Sequence, residues 1–204
     1  MNDDDTLTWQ HRGRRSGPQL PLFDVHFDAM EHPQSGTVMD RLVLGSVDWV
    51  NMVAVDEQAR CVMVRQYRFG GGYITLETPG GMVDSGEDSL TAARRELLEE
   101  TGYGGGSWHY LGAVEPNPAI HDHLCHHWLA QGVRPQAEPE PGTGEAIALA
   151  HLSAEAVCAA ARNGTIRHAL ALSALARVYP LWHPSLAAVA GPESAWPPQE
   201  WARR

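Results

Sequence analysis

The chain has 204 residues, of which 43% are hydrophobic and 20% are charged, and its formal net charge is −10. This length and composition fit one globular domain, or one domain with a small appendage. So acidic a chain is a poor candidate for binding nucleic acid or membrane surfaces, and it contains no apolar run near the ~20 residues that cross a bilayer.

The first half of the chain is predicted to consist mainly of strands. Residues 1–20 are polar and rich in Arg, so we expect them to be loosely ordered. Apolar runs and alternating patterns then predict strands, with turns favoured at Ser35-Gly36 and Asp56-Glu57. The predicted strands cover residues 22–30, 37–44, 47–55 and 60–67, and a short one follows a glycine-rich loop at 74–78.

Helices enter the pattern in the second half. Pro79-Gly80-Gly81 breaks the chain before a predicted helix over residues 88–100, for which Ser85 is the expected N-cap. Further strands are predicted at 108–114, 124–131 and 146–152, a loop at 134–144, and helices at 154–162 and 166–179. This order predicts an α/β sandwich, and its sheet should be mixed because several links are too short for crossover helices.

The N-terminus and the cysteines bear on the compartment. The acidic start MNDDDTLTWQ lacks the basic and apolar regions of a signal peptide. Cys61, Cys125 and Cys158 are widely spaced and form no CxxC pair, which argues against a disulfide framework and a structural zinc site. We therefore expect a cytoplasmic protein.

The segment at residues 81–103, GMVDSGEDSLTAARRELLEETGY, carries the chemistry. On a helix, the carboxylates of Glu96, Glu99 and Glu100 share one face, where like charges at this spacing destabilise the helix. A hard cation such as Mg²⁺ would relieve this repulsion, because it prefers oxygen ligands. The alternative interpretation of the three glutamates alone is a solvated acidic helix face.

The same segment matches G-x5-E-x7-R-E-U-x-E-E-x-G-U at every fixed position, where U is a bulky apolar residue, and so resembles the Nudix box. The fixed positions are Gly81, Glu87, Arg95, Glu96, Glu99, Glu100 and Gly102. The resemblance implies a Nudix α/β/α sandwich and an enzyme that cuts a pyrophosphate bond with Mg²⁺, for which Mn²⁺ can substitute.

The resemblance also implies roles for individual residues. Glu96 and Glu100 would bind the metal, Glu99 would join the same cluster, and the carbonyl of Gly80 would add a ligand. Arg95, together with Glu87, would mainly hold the shape of the motif. The resemblance also places Arg95 and Glu99 among the expected catalytic residues.

Flanking residues resemble the ADP-ribose and nucleoside diphosphate sugar pyrophosphatase branch. Residues 64–68 (VRQYR), 77–81 (ETPGG) and 116–119 (PNPA) match its short motifs in order. The resemblance implies hydrolysis of such a nucleotide sugar to a nucleoside monophosphate and a sugar phosphate. The expected substrate contacts are Arg65, Arg68, Glu77 and Pro118. For Arg68, a plain surface charge is the competing interpretation.

An acidic residue in the loop before the last strand acts in this branch as general base or further metal ligand. By position this residue is Glu145, and Glu140 and Glu138 remain alternatives because loop lengths vary. Solvation of the loop is the competing explanation for an acid at this place.

Four histidines, His121, His123, His126 and His127, lie within ten residues. They could ligate a transition metal, contact the substrate or have no special role. On a strand, His126 points away from His123 and His127, which argues against a compact metal site.

Residues 1–47 precede the Nudix domain (48–180) as a β extension, and a Pro- and Trp-containing tail (181–204) follows it. The extension alternates apolar and polar residues but is too short to bury a core alone. In the resembling enzymes such an extension is exchanged between subunits, so we expect a homodimer. The aromatic candidates for stacking on the nucleobase are Phe23 and Phe27 in the extension and Trp49 just after it. Strands that fold back on their own subunit are the alternative.

Two other functions remain open. One is a different Nudix activity, on a nucleoside triphosphate, coenzyme A or a dinucleotide. The other is a non-catalytic nucleotide-sugar sensor, which the intact box argues against.

Overall fold

The computed structural model describes residues 3–182, so most of the predicted C-terminal tail lies outside the described residues. A short 3₁₀-helix at Asp3–Thr6 precedes the first strand. The strands are β1 (Gln10–Gln19), β2 (Asp24–Glu31), β3 (Val38–Gly45), β4 (Trp49–Asp56), β5 (Cys61–Arg68), β6 (Tyr73–Glu77), β7 (Gly80–Met82), β8 (Tyr103–Gly104), β9 (Ser107–Val114), β10 (Cys125–Pro135) and β11 (Ile147–Leu152). The helices are α1 (Ser89–Thr101), α2 (Ala154–Arg162) and α3 (Ala169–Ala176).

The first three strands form a sheet of their own, antiparallel in the order β1-β2-β3. The expectation that residues 1–20 are loosely ordered is wrong, because β1 pairs with β2 over most of its length. Cross-strand ion pairs hold this polar strand, as in Arg12–Glu31 (2.6 Å) and Arg15–Asp40 (2.7 Å). Hydropathy does not detect such a strand, since its partners are charges far away in the sequence.

The larger sheet contains the remaining strands in the order β11-β5-β4-β10-β8, with β6 on β5, β7 on β4 and β9 on β10. β10 runs parallel to β4, and its other pairings are antiparallel. The predicted mixed sheet is therefore confirmed. An isolated β-bridge joins Leu44, on β3 of the small sheet, to His121, in the segment between β9 and β10.

Helices cover both faces of the larger sheet. α1 packs through Ala92, Ala93 and Leu97 against one face, where Met52 and Val62 are buried. α2 and α3 pack against the other face, around the buried side chains of Val53, Met63 and Leu175. This three-layer arrangement is the expected α/β/α sandwich. No helix within residues 3–182 is both long and apolar enough to span a membrane.

The ends of α1 differ slightly from expectation. Asp88, not Ser85, is the N-cap, because its carboxylate accepts hydrogen bonds from the amides of Leu90 and Thr91. Gly102 ends the helix in a left-handed conformation (φ 71°), which glycine adopts without strain. Residues 79–81, expected only to break the chain, also contribute the short strand β7. α1 thus has a defined cap at each end.

Candidate active site

Arg95 connects the loop before α1 to the acidic face of that helix. Its Nη2 donates to Glu87 (2.9 Å) and to the carbonyl of Met82 (3.0 Å). Its Nη1 donates to Glu96 (2.8 Å) and Glu99 (3.2 Å). These bonds, the one to Glu87 above all, raise the pKa of Arg95 above its usual range. Arg95 therefore holds the loop and two glutamates in one arrangement.

Glu100 lies on the buried side of this cluster and is only 3% exposed. Burial raises the pKa of Glu100 to about 8, and repulsion from Glu96 and Glu145 adds to the shift. The amide of Gly80 donates to its carboxylate (3.0 Å) and opposes the shift, as does the charge of Arg68. The structure thus brings Glu96, Glu145 and Arg68 within electrostatic reach of Glu100.

Glu96 is also affected by its neighbours. Burial raises the pKa of Glu96, Arg95 lowers it, and the charges of Glu99 and Glu145 raise it again. Glu145 itself lies in an exposed turn, where its carboxylate accepts the amide of Gly142 (3.1 Å). The expected acid of this loop therefore lies within electrostatic reach of Glu96 and Glu100 on α1.

The two glycines of β7 leave no room for a side chain. A Cβ on Gly81 would overlap the carboxylate of Glu96, and one on Gly80 would overlap the side chain of Asn51 and the carbonyl of Val50. The backbone of β7 therefore lies directly against the glutamates. Such close approach of backbone to a binding site is a common reason for glycine.

A metal ion fits this set of donors, although no three His, Cys, Asp or Glu side chains of the described residues converge as a finished metal cage. Arg95 donates hydrogen bonds to both Glu96 and Glu99. Mg²⁺ does not require a complete cage, because it commonly takes one or two carboxylates together with waters and substrate phosphates. The repelling oxygen donors of Glu96, Glu100 and Glu145 are suited to such an ion.

A second group of polar side chains lies at Glu77, which is 1% exposed. One carboxylate oxygen of Glu77 accepts Arg68 Nε (2.8 Å) and the hydroxyl of Thr75 (2.6 Å). The other oxygen lies 3.3 Å from Nε2 of His168, at the start of α3. Sequence reasoning did not select His168, because it lies far from Glu77 in the sequence and belongs to none of the motifs.

Arg68 and His168 line a cavity of about 570 Å³ next to β7. Gly80 and Gly81 form part of its wall, and Phe23 and Trp49 line it as well. The third expected aromatic, Phe27, does not line this cavity but packs under the guanidinium of Arg15 (4.0 Å). The cavity thus places Arg68 and the β7 backbone, which lies against Glu96 and Glu100, beside an aromatic wall.

Two of the expected substrate contacts lie elsewhere. Arg65 is exposed and, three residues from Arg68 on the same strand, points to the opposite face of the sheet. Pro118 is exposed in the turn after β9. Neither residue lines the cavity that contains Arg68.

The four histidines do not point to a common centre. His121 and His123 stack on each other (5.1 Å between ring centroids), and Trp49 lies against His123 (4.3 Å). His126 instead contacts Asp48 (3.0 Å) and the hydroxyl of Tyr110 (2.9 Å). His127 is fully buried, and burial lowers its pKa to about 4. These positions favour an aromatic wall over a transition-metal site.

Comparisons with known proteins agree with this geometry. An ADP-ribose pyrophosphatase of Mycobacterium tuberculosis is 32% identical over 126 residues, which are 61% of this chain and 60% of that protein. A CMP-5'-(N-acetyl-N-hydroxy-3-aminopropyl)phosphonate hydrolase of Streptomyces rubellomurinus is 32% identical over 126 residues, covering 62% of this chain and 61% of that protein. The chain thus spans about three fifths of the length of these relatives.

The fold is also that of a solved structure described as "Crystal structure of ADP compounds hydrolase". The match has a TM-score of 0.74 at 21% sequence identity and covers 83% of this chain and 91% of that one. The family model described as "NUDIX domain" matches residues 47–174, which is more than half of the chain and includes the whole motif at 81–103. The chain therefore belongs to the NUDIX family.

Proposed function

We propose that the protein is a cytoplasmic Mg²⁺-dependent hydrolase that cuts the pyrophosphate bond of ADP-ribose or a related nucleoside diphosphate sugar. The products would be a nucleoside monophosphate and a sugar phosphate, which for ADP-ribose are AMP and ribose 5-phosphate. One observation carries the proposal: the buried carboxylate of Glu100 lies within electrostatic reach of Arg68, and Gly80, whose amide donates to Glu100, lines the same cavity as Arg68. A diphosphate needs both kinds of charge, a cation-binding cluster and a phosphate-binding guanidinium.

The cation would be held by the carbonyl of Gly80 and by the carboxylates of Glu96, Glu99, Glu100 and Glu145. When bound, a divalent ion supplies positive charge to the phosphate oxygens and lowers the pKa of an attacking water. Mg²⁺ suits these oxygen donors, and Mn²⁺ can substitute. Arg95 keeps Glu96 and Glu99 oriented through its bonds to both.

Glu145 is our candidate for the general base. Its exposed carboxylate lies close enough to Glu96 and Glu100 to alter their pKa values, so a water near that cluster is within reach of it. The water oxygen forms a bond to one phosphorus, the phosphoanhydride bond breaks, and Glu145 takes the proton of the water. Glu140 and Glu138, in the same loop, remain the alternatives.

Arg68 would bind the diphosphate. Its Nε is used by Glu77, whereas neither terminal nitrogen of its guanidinium has a hydrogen bond to another residue in the described part of the chain. These terminal nitrogens form a fork that suits phosphate oxygens, in both the ground state and the transition state. Phe23 and Trp49, at the other wall of the cavity, are suited to stack on the nucleobase.

We further propose that the protein is a homodimer joined through the sheet of β1–β3. This part of the chain leaves apolar side chains exposed, among them Leu22 in the connection between β1 and β2 (64% exposed) and Val38 on β3 (51%). Its attachment to the rest of the subunit includes the Leu44–His121 bridge and the stacking of Phe23 on His121 (5.5 Å). A second subunit would cover the apolar residues that this attachment leaves exposed.

A panel of nucleotide sugars with Mg²⁺ tests the substrate class. Added phosphatase releases inorganic phosphate from the monophosphate products but not from the intact nucleotide sugars. We expect phosphate from ADP-ribose or a related nucleotide sugar. The panel includes a CMP-linked phosphonate, because one relative is named for such a substrate. In parallel, chromatography measures the cleavage of triphosphates, coenzyme A and dinucleotides. Cleavage of those compounds alone would assign a different Nudix reaction, and no cleavage with intact binding would indicate a sensor.

A further inference from the structure

Glu77 occupies a position at which a carboxylate needs complete hydrogen bonding. Its side chain is 1% exposed, so water cannot satisfy its two oxygens. The first oxygen accepts Arg68 Nε (2.8 Å) and the hydroxyl of Thr75 (2.6 Å). The second accepts no hydrogen bond from any residue that the structure describes, and His168 Nε2 lies 3.3 Å from it. His168 is therefore the available donor for the second oxygen.

The other ring nitrogen of His168 determines the position of the proton. His168 is the N-cap of α3, and its Nδ1 accepts the amide of Ala171 (3.3 Å). Burial lowers the pKa of His168, Arg68 lowers it further, and Glu77 opposes both. A neutral ring whose Nδ1 accepts a hydrogen bond carries its proton on Nε2. The neutral ring thus carries an Nε2–H group 3.3 Å from the unpaired second oxygen of Glu77.

We propose that His168 is a positioning residue that fixes Glu77 and, through Glu77, aims the guanidinium of Arg68 at the substrate diphosphate. The inference rests on the proposed function for the identity of the ligand. A hydrogen bond from His168 Nε2 to the second oxygen would stop the Glu77 carboxylate from rotating and would keep its first oxygen in line with Arg68 Nε. The terminal nitrogens of Arg68 are thereby left facing the cavity, which Arg68 and His168 both line.

Two substitutions separate this role from helix capping. In His168→Asn the short side chain can still accept the amide of Ala171, since Asn is a good N-cap, but it cannot reach Glu77. In His168→Gln the amide nitrogen occupies the place of Nε2 and can donate to Glu77, whereas the cap is lost. If His168 is purely structural, its substitutions should change activity in proportion to the loss of stability. If it positions Glu77, activity should follow the contact with Glu77 and not the stability.

The experiment measures Tm, kcat and KM for ADP-ribose in the full-length wild type and both variants. We expect His168→Asn to keep its Tm and to raise KM about tenfold, the scale of one hydrogen bond to a charged group. We expect His168→Gln to lower Tm by roughly 2–4 °C and to recover most of the KM. An unchanged KM in His168→Asn, or a KM that follows Tm across the two variants, would overturn the proposal.

An NMR signal tests the positioning independently of turnover. Arg68 Nε–H should exchange slowly with solvent in the wild type and in His168→Gln, and faster in His168→Asn; loss of the signal in Arg68→Lys assigns it. Equal exchange in all three proteins would contradict the role of His168. Failure of the wild type to cleave any nucleotide sugar would instead refute the proposed function, and the NMR comparison would still decide the positioning. In an Arg68→Ala background, His168→Asn should change KM no further.

Discussion

The amide of Gly80 donates a 3.0 Å hydrogen bond to the carboxylate of Glu100, which joins β7 to the buried side of α1. This bond only partly offsets the burial of Glu100 and its repulsion by Glu96 and Glu145, so its pKa stays at about 8. A buried carboxyl of this kind prefers its neutral form until a cation arrives.

The stability of the metal-free protein should therefore depend on the ionisation of Glu100. Its pKa is about 8 in the folded chain, against an ordinary value of 4.5. Between these values the folded state holds a proton that the unfolded state releases, so this contribution to stability is complete below about pH 4.5 and is lost as pH rises through 8. Thermal unfolding in EDTA measures the stability of the wild type and of Glu100→Gln. The stability of the wild type relative to that of the variant should fall as the pH rises across this range. A difference that is constant with pH would contradict the raised pKa.

The fold was largely predictable because it depends on local patterns. Apolar runs and turn residues predicted most strands of the larger sheet and its helices, and the fixed spacing of the motif predicted which glutamates share a face of α1. The same patterns do not report pairing between distant charges. For this reason β1 was missed, since its partners, such as Glu31 and Asp40, are identified only by the fold.

The candidate site was predictable in part, for the same physical reason. Arg95, Glu96 and Glu100 lie in one continuous motif, and Glu145 was predicted from the resemblance of the loop before the last strand. His168 was not found, because its contact with Glu77 depends on how α3 packs beside β6. Asp88 replaces Ser85 as N-cap because a helix start depends on the exact turn before it.

Glu145→Gln should lower kcat about 10²–10⁴-fold with little change in KM, because it removes the proton acceptor and keeps the shape of the side chain. Steady-state kinetics with a nucleotide sugar measure both constants. Glu140→Gln and Glu138→Gln are the matched controls in the same loop. If Glu145→Gln is near wild type and one of the controls is inactive, that control residue is the base instead.

Arg68→Ala should raise KM and also lower kcat, if the guanidinium holds phosphate in both the ground state and the transition state. Arg68→Lys should restore only part of the loss, because an ammonium group cannot form the bidentate fork. Arg65→Ala, on the opposite face of β5, is the comparison variant, and its kinetics show whether Arg65 contacts the substrate. Unchanged kinetics in both Arg68 variants would reassign Arg68 as a surface charge.

Light scattering should give the intact protein a mass of twice the 22.3 kDa of one chain. A truncated protein that begins at Val47 and so lacks β1–β3 should be monomeric, because the proposed interface is absent. A monomeric full-length protein with full activity would refute the proposed homodimer. A truncated protein that stays dimeric would move the interface to another surface.

Metal-dependent hydrolysis at the glutamate cluster is tested most directly by three measurements of ADP-ribose turnover. They use the wild type with Mg²⁺, the wild type with EDTA, and Glu100→Gln with Mg²⁺. We expect EDTA to abolish hydrolysis and Glu100→Gln to lower kcat by at least ~10²-fold, because the substitution removes a charge from the cation site and keeps its shape. Glu57→Gln, in an exposed turn between β4 and β5, should match the wild type. Full turnover in EDTA, or a wild-type kcat for Glu100→Gln, would contradict metal-dependent hydrolysis at this cluster.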